Sequence, residues 1–562
     1  MNLPATAIYF TRDQVEVDGR GLVGRRTAGE GFLKGYLEHG CGDTIRAVCE
    51  TPEMARAFEE KLQAMGESRP LRMTVLRGGG DFSDAGCIFH PRPGYARMAW
   101  SRQRFGPNSV SLVGVTHTVS TRRIIEGLHD LVSQPVEVWD AIICTSRAVQ
   151  SVIKRHLWAE TVYFRQRFGA SRVPVPRLPV IPLGIDADSF APLPGARERM
   201  RARLGAGTGA IVVLTVGRLS VVEKANPVPL FLALEDVARE AARLPGREVH
   251  LWITGWAIRP EEEALHRDGA AALCPSVKVT IVDGRDGDVR RNIWAGADIF
   301  TLPVDSIQET FGLVPVEAMA AGLPVVMPDW NGFRDTVRHG ETGYLVPTRM
   351  APQGTGQDLA RRYAEETDDY LQYLALVQSQ VQLDVSAYRT AFLALMDQGV
   401  RARMGAAGKA HVRERFDWRA VIPQYLDLAR ELEAVRRTSL PTTPPLESGT
   451  PNPFEVDPFA LYESYPTEPL RPGTRVEPGR PANKAVIEEY DRFSGRFLYG
   501  RRLMRPKEAL VVHAEVVRTG GATVSDLARV LGRRMDFVLS AVLYLAKADL
   551  VRLPEIGPRL PG

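Results

Sequence analysis

The chain has 562 residues, of which 44% are hydrophobic and 25% charged, and its formal net charge is +4. At roughly 100–200 residues per domain this length predicts about three domains, and the composition excludes a disordered or fibrous protein. Five scattered cysteines argue against a disulfide framework. With no signal peptide or transmembrane segment predicted, we expect a cytoplasmic protein. Peripheral contact with a membrane surface stays open.

Residues 1–195 alternate short apolar runs with amphipathic stretches. A helix is predicted over Gly29–His39, and the proline-rich run Arg172–Pro194 predicts a last strand and a linker. The apolar runs predict strands at AIYF, TIRAVCE, LRMTVLRG, VSLVGVTH and AIICTS. This alternation is typical of a parallel sheet built from βα units.

Residues 196–436 repeat the alternation and predict a second α/β domain. Its strands are predicted at AIVVLTVGRL, REVHLWITGW, VKVTIVDG, ADIFTLP and LPVVMPD. An insert near Ala351–Asp384 is polar and then helical, and one long helix, HVRERFDWRAVIPQYLDLARELEAV, is expected to close the domain at about Arg436.

The rest of the chain predicts a linker followed by a small domain. Residues 437–482 are rich in proline, and residues 483–562 predict helix, Gly-Gly turn, two helices and a short strand, an order that resembles a winged helix. Arg533 and Arg534, at the start of the third helix, would suit phosphate contact with DNA. The very apolar third helix, FVLSAVLYLAKADLV, instead favours self-association or a protein partner.

Two glutamates, Glu309 and Glu317, flank seven residues in the stretch ETFGLVPVE. A strand precedes the pair, so the stretch is expected at the carboxyl end of a parallel sheet, where such sheets bind ligands. Gly312 would let the backbone approach a ligand, and the helix after it would offer unpaired N–H groups to an anion. The pattern therefore predicts a site for a diphosphate.

The same stretch, continued by AMAAGLPVV, resembles the E-x7-E motif of retaining GT-B glycosyltransferases of family four. The matching positions are Glu309, Phe311, Gly312, Glu317, Ala318, Met319, Ala320, Gly322, Pro324, Val325 and Val326. The resemblance implies an α/β fold of two Rossmann-like domains facing a cleft, with the acceptor domain over 1–195 and the donor domain over 196–436. It also implies a hexosyltransferase (EC 2.4) that uses a nucleotide-diphosphate sugar with retention, without a metal or another cofactor.

The resemblance also implies roles for individual residues. Arg218 and Lys224, in VGRLSVVEKAN, would clamp the diphosphate, Glu309 would hold a sugar hydroxyl, and His117 would lie near the sugar and acceptor. The remaining donor-binding positions are Gly24, Gly217, Gly255, Phe311, Gly312, Leu313 and Glu317. Glu317 would bind the ribose.

The chain departs from the family pattern at several positions. Ala225 stands where the family has a glycine, and Thr118 replaces the aspartate that commonly follows the histidine. The reach of Lys224 and the role of His117 are therefore expectations that need the structure.

Other functions were weighed against this interpretation. The triplets Asp186–Asp188 and Asp286–Asp288 could suggest a metal site, but aspartates in loops favour turn and cap positions. A Rossmann oxidoreductase would need a helix directly after a glycine motif, and the glycines at 78–80 lack one. A phosphorylase stays open, as does a non-catalytic sugar-nucleotide-binding protein whose tail binds DNA or a protein. The acceptor, whether polysaccharide, lipid, protein or small molecule, also stays open.

Overall fold

The structure is a computed structural model that divides into two compact units, Met1–Leu446 and Glu447–Gly562. The described residues are 3–11, 24–243, 247–443, 452–493 and 504–554. Most of the glycine-rich loop predicted after the first strand lies outside them. Within the described ranges, no helix has the length and apolar character needed to cross a membrane.

The first unit begins with a parallel six-stranded sheet in the order β3-β2-β1-β4-β5-β6. Its strands are β1 Thr6–Phe10, β2 Ile45–Cys49, β3 Leu71–Val75, β4 Cys87–His90, β5 Ser111–Val115 and β6 Ala141–Ile143. The five predicted strands are confirmed, and β4 is an additional one. The proline-rich run after them forms only isolated bridges, to β6, to Cys144 and, through Ile185, to Asp417, because proline lacks the N–H that a ladder requires.

Helices cover both faces of this sheet and bury its apolar side chains. They are α1 Gly24–His39, α2 Pro52–Ala64, α3 Ala96–Arg102, α4 Arg122–Ser133 and α5 Arg147–Phe168. Ser146 caps α5 by accepting a hydrogen bond from the Val149 N–H.

A second parallel six-stranded sheet follows, in the order β12-β11-β10-β7-β8-β9. Its strands are β7 Ile211–Val216, β8 Val249–Gly255, β9 Lys278–Asp283, β10 Ile299–Thr301, β11 Val325–Pro328 and β12 Gly343–Val346. Its helices are α6 Ala196–Arg203, α7 Val228–Ala241, α8 Pro260–Leu273, α9 Gly287–Gly296, α10 Leu313–Ala321 and α11 Phe333–Thr336.

The predicted insert is a small subdomain attached to the second sheet. An antiparallel pair, β13 Thr348–Met350 and β14 Val381–Leu383, encloses the helices α12 Gln357–Ala364 and α13 Tyr370–Gln378. Asp369 caps α13 in a capping box with Gln372, which fixes where this helix begins.

The closing part of the unit corrects the expectation of one long helix. The structure has three helices here, α14 Val385–Ala394, α15 Gln398–Arg415 and α16 Trp418–Thr438. The break falls at Asp417, whose side chain caps α16. Because of this break, α16 turns back and packs on α1 of the first half.

The second unit is mainly helical, with a three-stranded antiparallel sheet. Its elements are α17 Pro458–Leu461, β15 Arg475–Pro478, α18 Lys484–Asp491, α19 Pro506–Thr519, β16 Ala522–Thr523, α20 Val524–Leu531, α21 Met535–Lys547 and β17 Val551–Arg552. Thr523 caps α20. The predicted linker includes β15, which pairs with β16 and β17 and buries Val476 completely.

The two large sheets share one topology. Each places its first strand beside its fourth, so that the strand order reverses between β1 and β4 and between β7 and β10. This is the Rossmann-like arrangement, with ligand sites expected where the order reverses. The predicted GT-B architecture of two Rossmann-like halves is therefore confirmed, and α16, which crosses back from the second half to the first, is an addition to it.

Candidate functional site

The predicted donor-site residues converge on two loops that leave β7 and β10 at the point of strand reversal. An isolated bridge between Ala225 and Val304 joins these loops. The Asn226 N–H also donates to Asp305, at 3.1 Å. A small cavity borders the first loop, and Gly217, Arg218 and Lys224 all line it.

Asp305 connects the two loops to the insert by hydrogen bonds. Its buried carboxylate accepts hydrogen bonds from the Asn226 backbone and from the Gln378 side chain of α13. Burial raises the pKa of Asp305 to about 6, although both hydrogen bonds oppose that rise. The sequence placed Asp305 near the site but gave no signal for its link to Gln378.

Glu309 and Lys224 face each other within the site. The Lys224 Nζ lies 3.5 Å from Glu309 Oε2, and the Thr310 N–H donates to Glu309 Oε1 at 3.1 Å. Burial alone would raise the pKa of Glu309. The charge of Lys224 and the N–H groups of Thr310 and Phe311 have the larger effect and hold that pKa below its usual value. Glu309 is thus an ionised acceptor, and Lys224 reaches the site despite Ala225.

The backbone around Glu309 is fixed by residues that the sequence did not single out. Asn331 adopts a positive φ of 40° and donates from Nδ2 to the Glu309 carbonyl at 3.1 Å. Trp330 Nε1 donates to the Ser306 carbonyl at 3.1 Å. A non-glycine residue in this backbone region often accompanies a functional site, and the Asn-Gly pair that begins at Asn331 was the available turn signal.

Gly312 stands at the start of α10, where only glycine fits. Its φ is +82°, and a Cβ there would lie 2.2 Å from the Phe333 ring. The Phe311 ring is buried and packs against Phe416, with ring centroids 6.0 Å apart. Phe311 and Gly312 therefore shape the backbone, and Leu313 is the first helical residue, with its N–H among those left unpaired at a helix start.

Glu317 lies one turn into α10 and has no partner in the described part of the protein. Its side chain is half-buried, and no described residue forms a hydrogen bond or ion pair with it. Burial raises the pKa of Glu317 to about 7. An unpaired, partly desolvated carboxyl group is a strong acceptor for hydroxyl groups once it is ionised.

Arg218 is held by a neighbouring glutamate. Its guanidinium nitrogens lie 3.0 and 3.4 Å from the two carboxylate oxygens of Glu223, and both side chains are mostly buried. Both predicted cations of this loop are thus paired with glutamates, Arg218 with Glu223 and Lys224 with Glu309.

A buried hydrogen-bond chain supports the turn that carries these residues. Ser220 Oγ donates to Glu262 of α8 at 2.8 Å and accepts from the Glu223 N–H at 3.2 Å. The Ser220 carbonyl accepts from the Lys224 N–H at 3.2 Å. Glu262 and Ser220 therefore fix the turn, although neither residue type stood out in the sequence.

Two glycines predicted to bind the donor lie in close backbone contact. A Cβ on Gly255, at the end of β8, would lie 1.7 Å from the Gly217 carbonyl oxygen. The Gly284 N–H donates to the Gly255 carbonyl at 3.0 Å. Glycine at 255 is thus required by backbone packing, whether or not a ligand approaches it.

His117 follows β5 and connects the two halves. Its Nε2 lies 3.1 Å from the Pro91 carbonyl, and its own carbonyl accepts from Thr310 Oγ1 at 3.0 Å. Ser146 Oγ donates to the Thr310 carbonyl at 2.8 Å. The residue after Glu309 is therefore held by the first half, which brings His117 to the same cleft.

Gly24 is the first residue of α1, and the loop before it lies outside the described residues.

The insert reaches across to the loop after β5, a contact that sequence analysis missed. Tyr370 Oη lies 2.8 Å from Ser120 Oγ, and the Arg122 N–H donates to Tyr363 Oη at 3.3 Å. Arg122 also pairs with Glu366 at 2.8 Å. Glu366 adopts a positive φ of 58°. These contacts place the insert against the loop that begins at His117.

The aspartate triplets are caps, as predicted. Asp186 accepts from the Asp188 N–H, and Asp286 accepts from the Asp288 and Val289 N–H groups. Across the described ranges, no group of three or more His, Cys, Asp or Glu side chains is arranged to hold a metal ion.

Part of the second half of the chain is similar in sequence to a known protein family. Residues 210–364 match the family model described as glycosyl transferases group 1, which takes in all six strands of the second sheet. D-inositol 3-phosphate glycosyltransferase of Nocardia farcinica is 35% identical over 184 residues, 32% of this chain and 38% of that protein. The GDP-mannose-dependent α-(1-6)-phosphatidylinositol monomannoside mannosyltransferase of Mycobacterium tuberculosis is 27% identical over 279 residues, 49% of this chain and 61% of that protein.

Among solved structures, Anabaena HepE in complex with UDP aligns with a TM-score of 0.46 and 17% identity, covering 76% of this chain and 99% of that chain. A glycosyltransferase of Rickettsia africae aligns with a TM-score of 0.48 and 14% identity, covering 77% of this chain and 99% of that chain. In sequence, this chain spans between 38% and 61% of the length of the two relatives described above.

Proposed function

We propose that the protein is a glycosyltransferase that moves a sugar from a nucleotide-diphosphate sugar to an acceptor with retention of configuration. The observation that carries this proposal is the convergence of Arg218, Lys224, Glu309 and the start of α10 on the strand reversal of the second sheet. Two cations and unpaired backbone N–H groups there suit a diphosphate, and the ionised Glu309 suits a sugar hydroxyl.

In this proposal the diphosphate displaces Glu223 from Arg218 and takes Lys224 as a second counter-ion. As the glycosidic bond breaks, negative charge grows on the leaving phosphate, and Arg218, Lys224 and the N–H groups at Gly312 stabilise it. Glu317 accepts hydrogen bonds from the ribose. No covalent nucleophile is assigned, so the acceptor attacks from the face that the diphosphate leaves, with His117 beside it and the departing phosphate taking the acceptor proton.

The names of the relatives guide the choice of substrates. They mention GDP-mannose, inositol 3-phosphate and phosphatidylinositol monomannoside. We therefore propose phosphorylated inositols and inositol-containing lipids as the first acceptors to try, and GDP-mannose beside UDP-sugars as the first donors.

The test is release of nucleoside diphosphate from a panel of sugar nucleotides, with and without these acceptors. Arg218→Ala and Glu309→Ala are expected to lower turnover, the former by about 10²–10³-fold, the loss typical when one oriented charge partner is removed. The exposed residues Arg361 and Glu341 provide matched alanine controls. Normal turnover in the site variants would refute the site assignment, and donor binding without turnover would identify a binding protein instead.

We propose that the C-terminal unit is a protein-interaction or self-association module. Arg534 is paired with Asp536 at 2.8 Å, and Arg533 stacks on Phe537 at 5.5 Å, so both arginines predicted to contact phosphate are engaged within the unit. Duplex DNA binding, measured with the full chain at two salt concentrations, tests the alternative. Salt-sensitive binding abolished by Arg533→Ala would favour DNA.

A further inference from the structure

One face of α5 is both basic and aromatic. The helix carries five Lys and Arg residues and a single acidic residue, Glu160. That carboxylate is engaged by His129 of α4, with Nδ1 and Oε2 2.9 Å apart. The outward face of α5 therefore presents positive charge with no exposed carboxylate to balance it.

Among the described residues, four of the five cations of α5 have no carboxylate partner, and the fifth, Arg147, pairs with Asp335. Exposed arginines of other helices, such as Arg361, Arg430 and Arg518, each pair with a nearby carboxylate. Within the described residues, Arg155 and Arg165 of α5 have none. Unpaired cations in a row attract an anionic surface more strongly than a salt-bridged face does.

Large aromatic side chains lie among these cations. Trp158 is 68% exposed and Phe168 is 67% exposed, and Tyr163 packs edge-on against Phe168. Residues 154, 158 and 165 are spaced by four and seven positions, which places Lys154, Trp158 and Arg165 on one side of the helix. The opposite side is anchored in the domain by Ile153 and Leu157, which are buried.

We propose that this face of α5 docks on a membrane surface rich in anionic lipids. Tryptophan and other aromatic side chains favour the bilayer interface, and basic residues favour anionic headgroups. A second copy of the chain is disfavoured as the occupant because two such positive faces would repel each other. Duplex DNA would use the cations but would gain little from exposed Trp158 and Phe168.

Docking through α5 would place the cleft near the bilayer. Ser146, which caps the start of the helix, contacts Thr310 in the cleft through its side chain, and the 22 residues of the helix span about 33 Å. Because α5 extends from the cleft to the docked face, acceptors held in the membrane would lie within reach of the cleft. The docking face itself stands on α5 alone and does not depend on the proposed transferase activity.

The test is co-sedimentation of the full chain with vesicles of phosphatidylcholine alone or with about one third phosphatidylglycerol, at about 0.05 M and 0.5 M salt. We expect binding to the anionic vesicles at low salt only. Charge reversal by Arg155→Glu with Arg165→Glu should lower partitioning at least about 25-fold, from about fivefold for each basic residue near an anionic surface.

Matched variants make the result specific. Arg533→Glu with Arg534→Glu changes the net charge equally in the C-terminal unit and should change binding much less. Trp158→Ala with Phe168→Ala should weaken binding, whereas Phe459→Ala with Tyr465→Ala, at residues 81% and 79% exposed, should not. Circular dichroism confirms that each variant is folded.

Three outcomes would overturn the proposal. They are no binding to anionic vesicles at low salt, equal losses in the α5 and control variants, and α5 variants that change DNA binding or oligomeric state but leave vesicle binding intact. Because sedimentation needs no turnover, an inactive protein that still binds vesicles would refute only the transferase proposal.

Discussion

Glu317 is a carboxyl group whose ionisation should change stability and ligand binding in opposite directions. Burial raises its pKa from 4.5 to about 7. The folded state therefore binds more protons than the unfolded state between these values, so this group's contribution to stability falls as pH rises from about 4.5 to 7. The ionised form is the better acceptor of two ribose hydroxyls, so donor affinity should rise over the same range.

Glu317→Gln tests this at the residue scale. The amide has no charge to desolvate, so we expect the variant to gain about 1–3.5 kcal/mol in unfolding free energy at pH 8 and almost nothing at pH 4.5, the upper end being the full shift at about 1.4 kcal/mol per pKa unit. Urea denaturation at both pH values measures this change in the free energy of unfolding, and Glu341→Gln, at an exposed residue, is the control. A gain of equal size at both pH values would contradict the raised pKa.

Sequence analysis identified most of the residues gathered at the site but not how they are held. Glu309, Lys224 and Gly312 follow a local pattern, so their positions could be read along the chain. The Arg218–Glu223 pair, the Asp305–Gln378 contact and the support of Ser220 by Glu262 depend on side-chain directions and on partners up to 73 residues apart. No local periodicity encodes such contacts.

At the scale of elements, Gly312 determines how α10 begins. Gly312→Ala would place a Cβ 2.2 Å from Phe333 at a φ of +82°. We expect a loss of about 2–4 kcal/mol, from about 1 kcal/mol for the backbone conformation and 1–3 kcal/mol for overpacking.

The matched control is Gly340→Ala. Gly340 has a φ of +78°, and nothing lies within 4 Å of its Cβ position, so only the backbone cost should remain, about 1 kcal/mol. Chemical denaturation of both variants measures the difference. Equal losses would mean that the Phe333 contact relaxes without cost and that α10 tolerates a side chain at its start.

The strands of both sheets were predictable where an apolar run was long or bounded by turn residues. β4 was missed because its buried part is only four residues, Cys87–His90. The closing helix was predicted as one because its apolar pattern continues through the break. The break depends on the Asp417 cap and on a bridge between Ile185 and Asp417, a contact between segments far apart in the chain.

At the scale of the whole molecule, the packing of the two halves against each other could not be predicted from the sequence, and the contacts of Trp418 give the reason. Cβ atoms at Gly35 of α1 and at Gly184 would lie 2.5 and 2.4 Å from its indole ring. A tryptophan of α16 thus requires two glycines more than 200 positions away. Periodicity predicted two α/β halves, and the family resemblance implied that they are Rossmann-like, but the contacts that join them are set by such packing.

The insert provides a further connection between the halves, through Tyr370. Tyr370→Phe removes only the hydroxyl that contacts Ser120 of the loop after His117. We expect a loss of about 0.5–1.5 kcal/mol in the stability of this contact. Local opening of the loop should therefore become about 2–10-fold more frequent, seen as faster hydrogen exchange at the Arg122 amide, which donates to Tyr363.

Tyr373→Phe is the control, because Tyr373 lies in the same aromatic cluster and its hydroxyl has no hydrogen-bond partner within the described residues. Exchange at Arg122 should stay at the wild-type rate in this variant. If both variants exchange alike, the insert packs against the loop without holding it, and the halves are connected through α16 and through the contacts of Thr310 with His117 and Ser146. If only Tyr370→Phe exchanges faster, the insert restrains the loop that carries His117, and a change in the insert can alter how an acceptor enters the cleft.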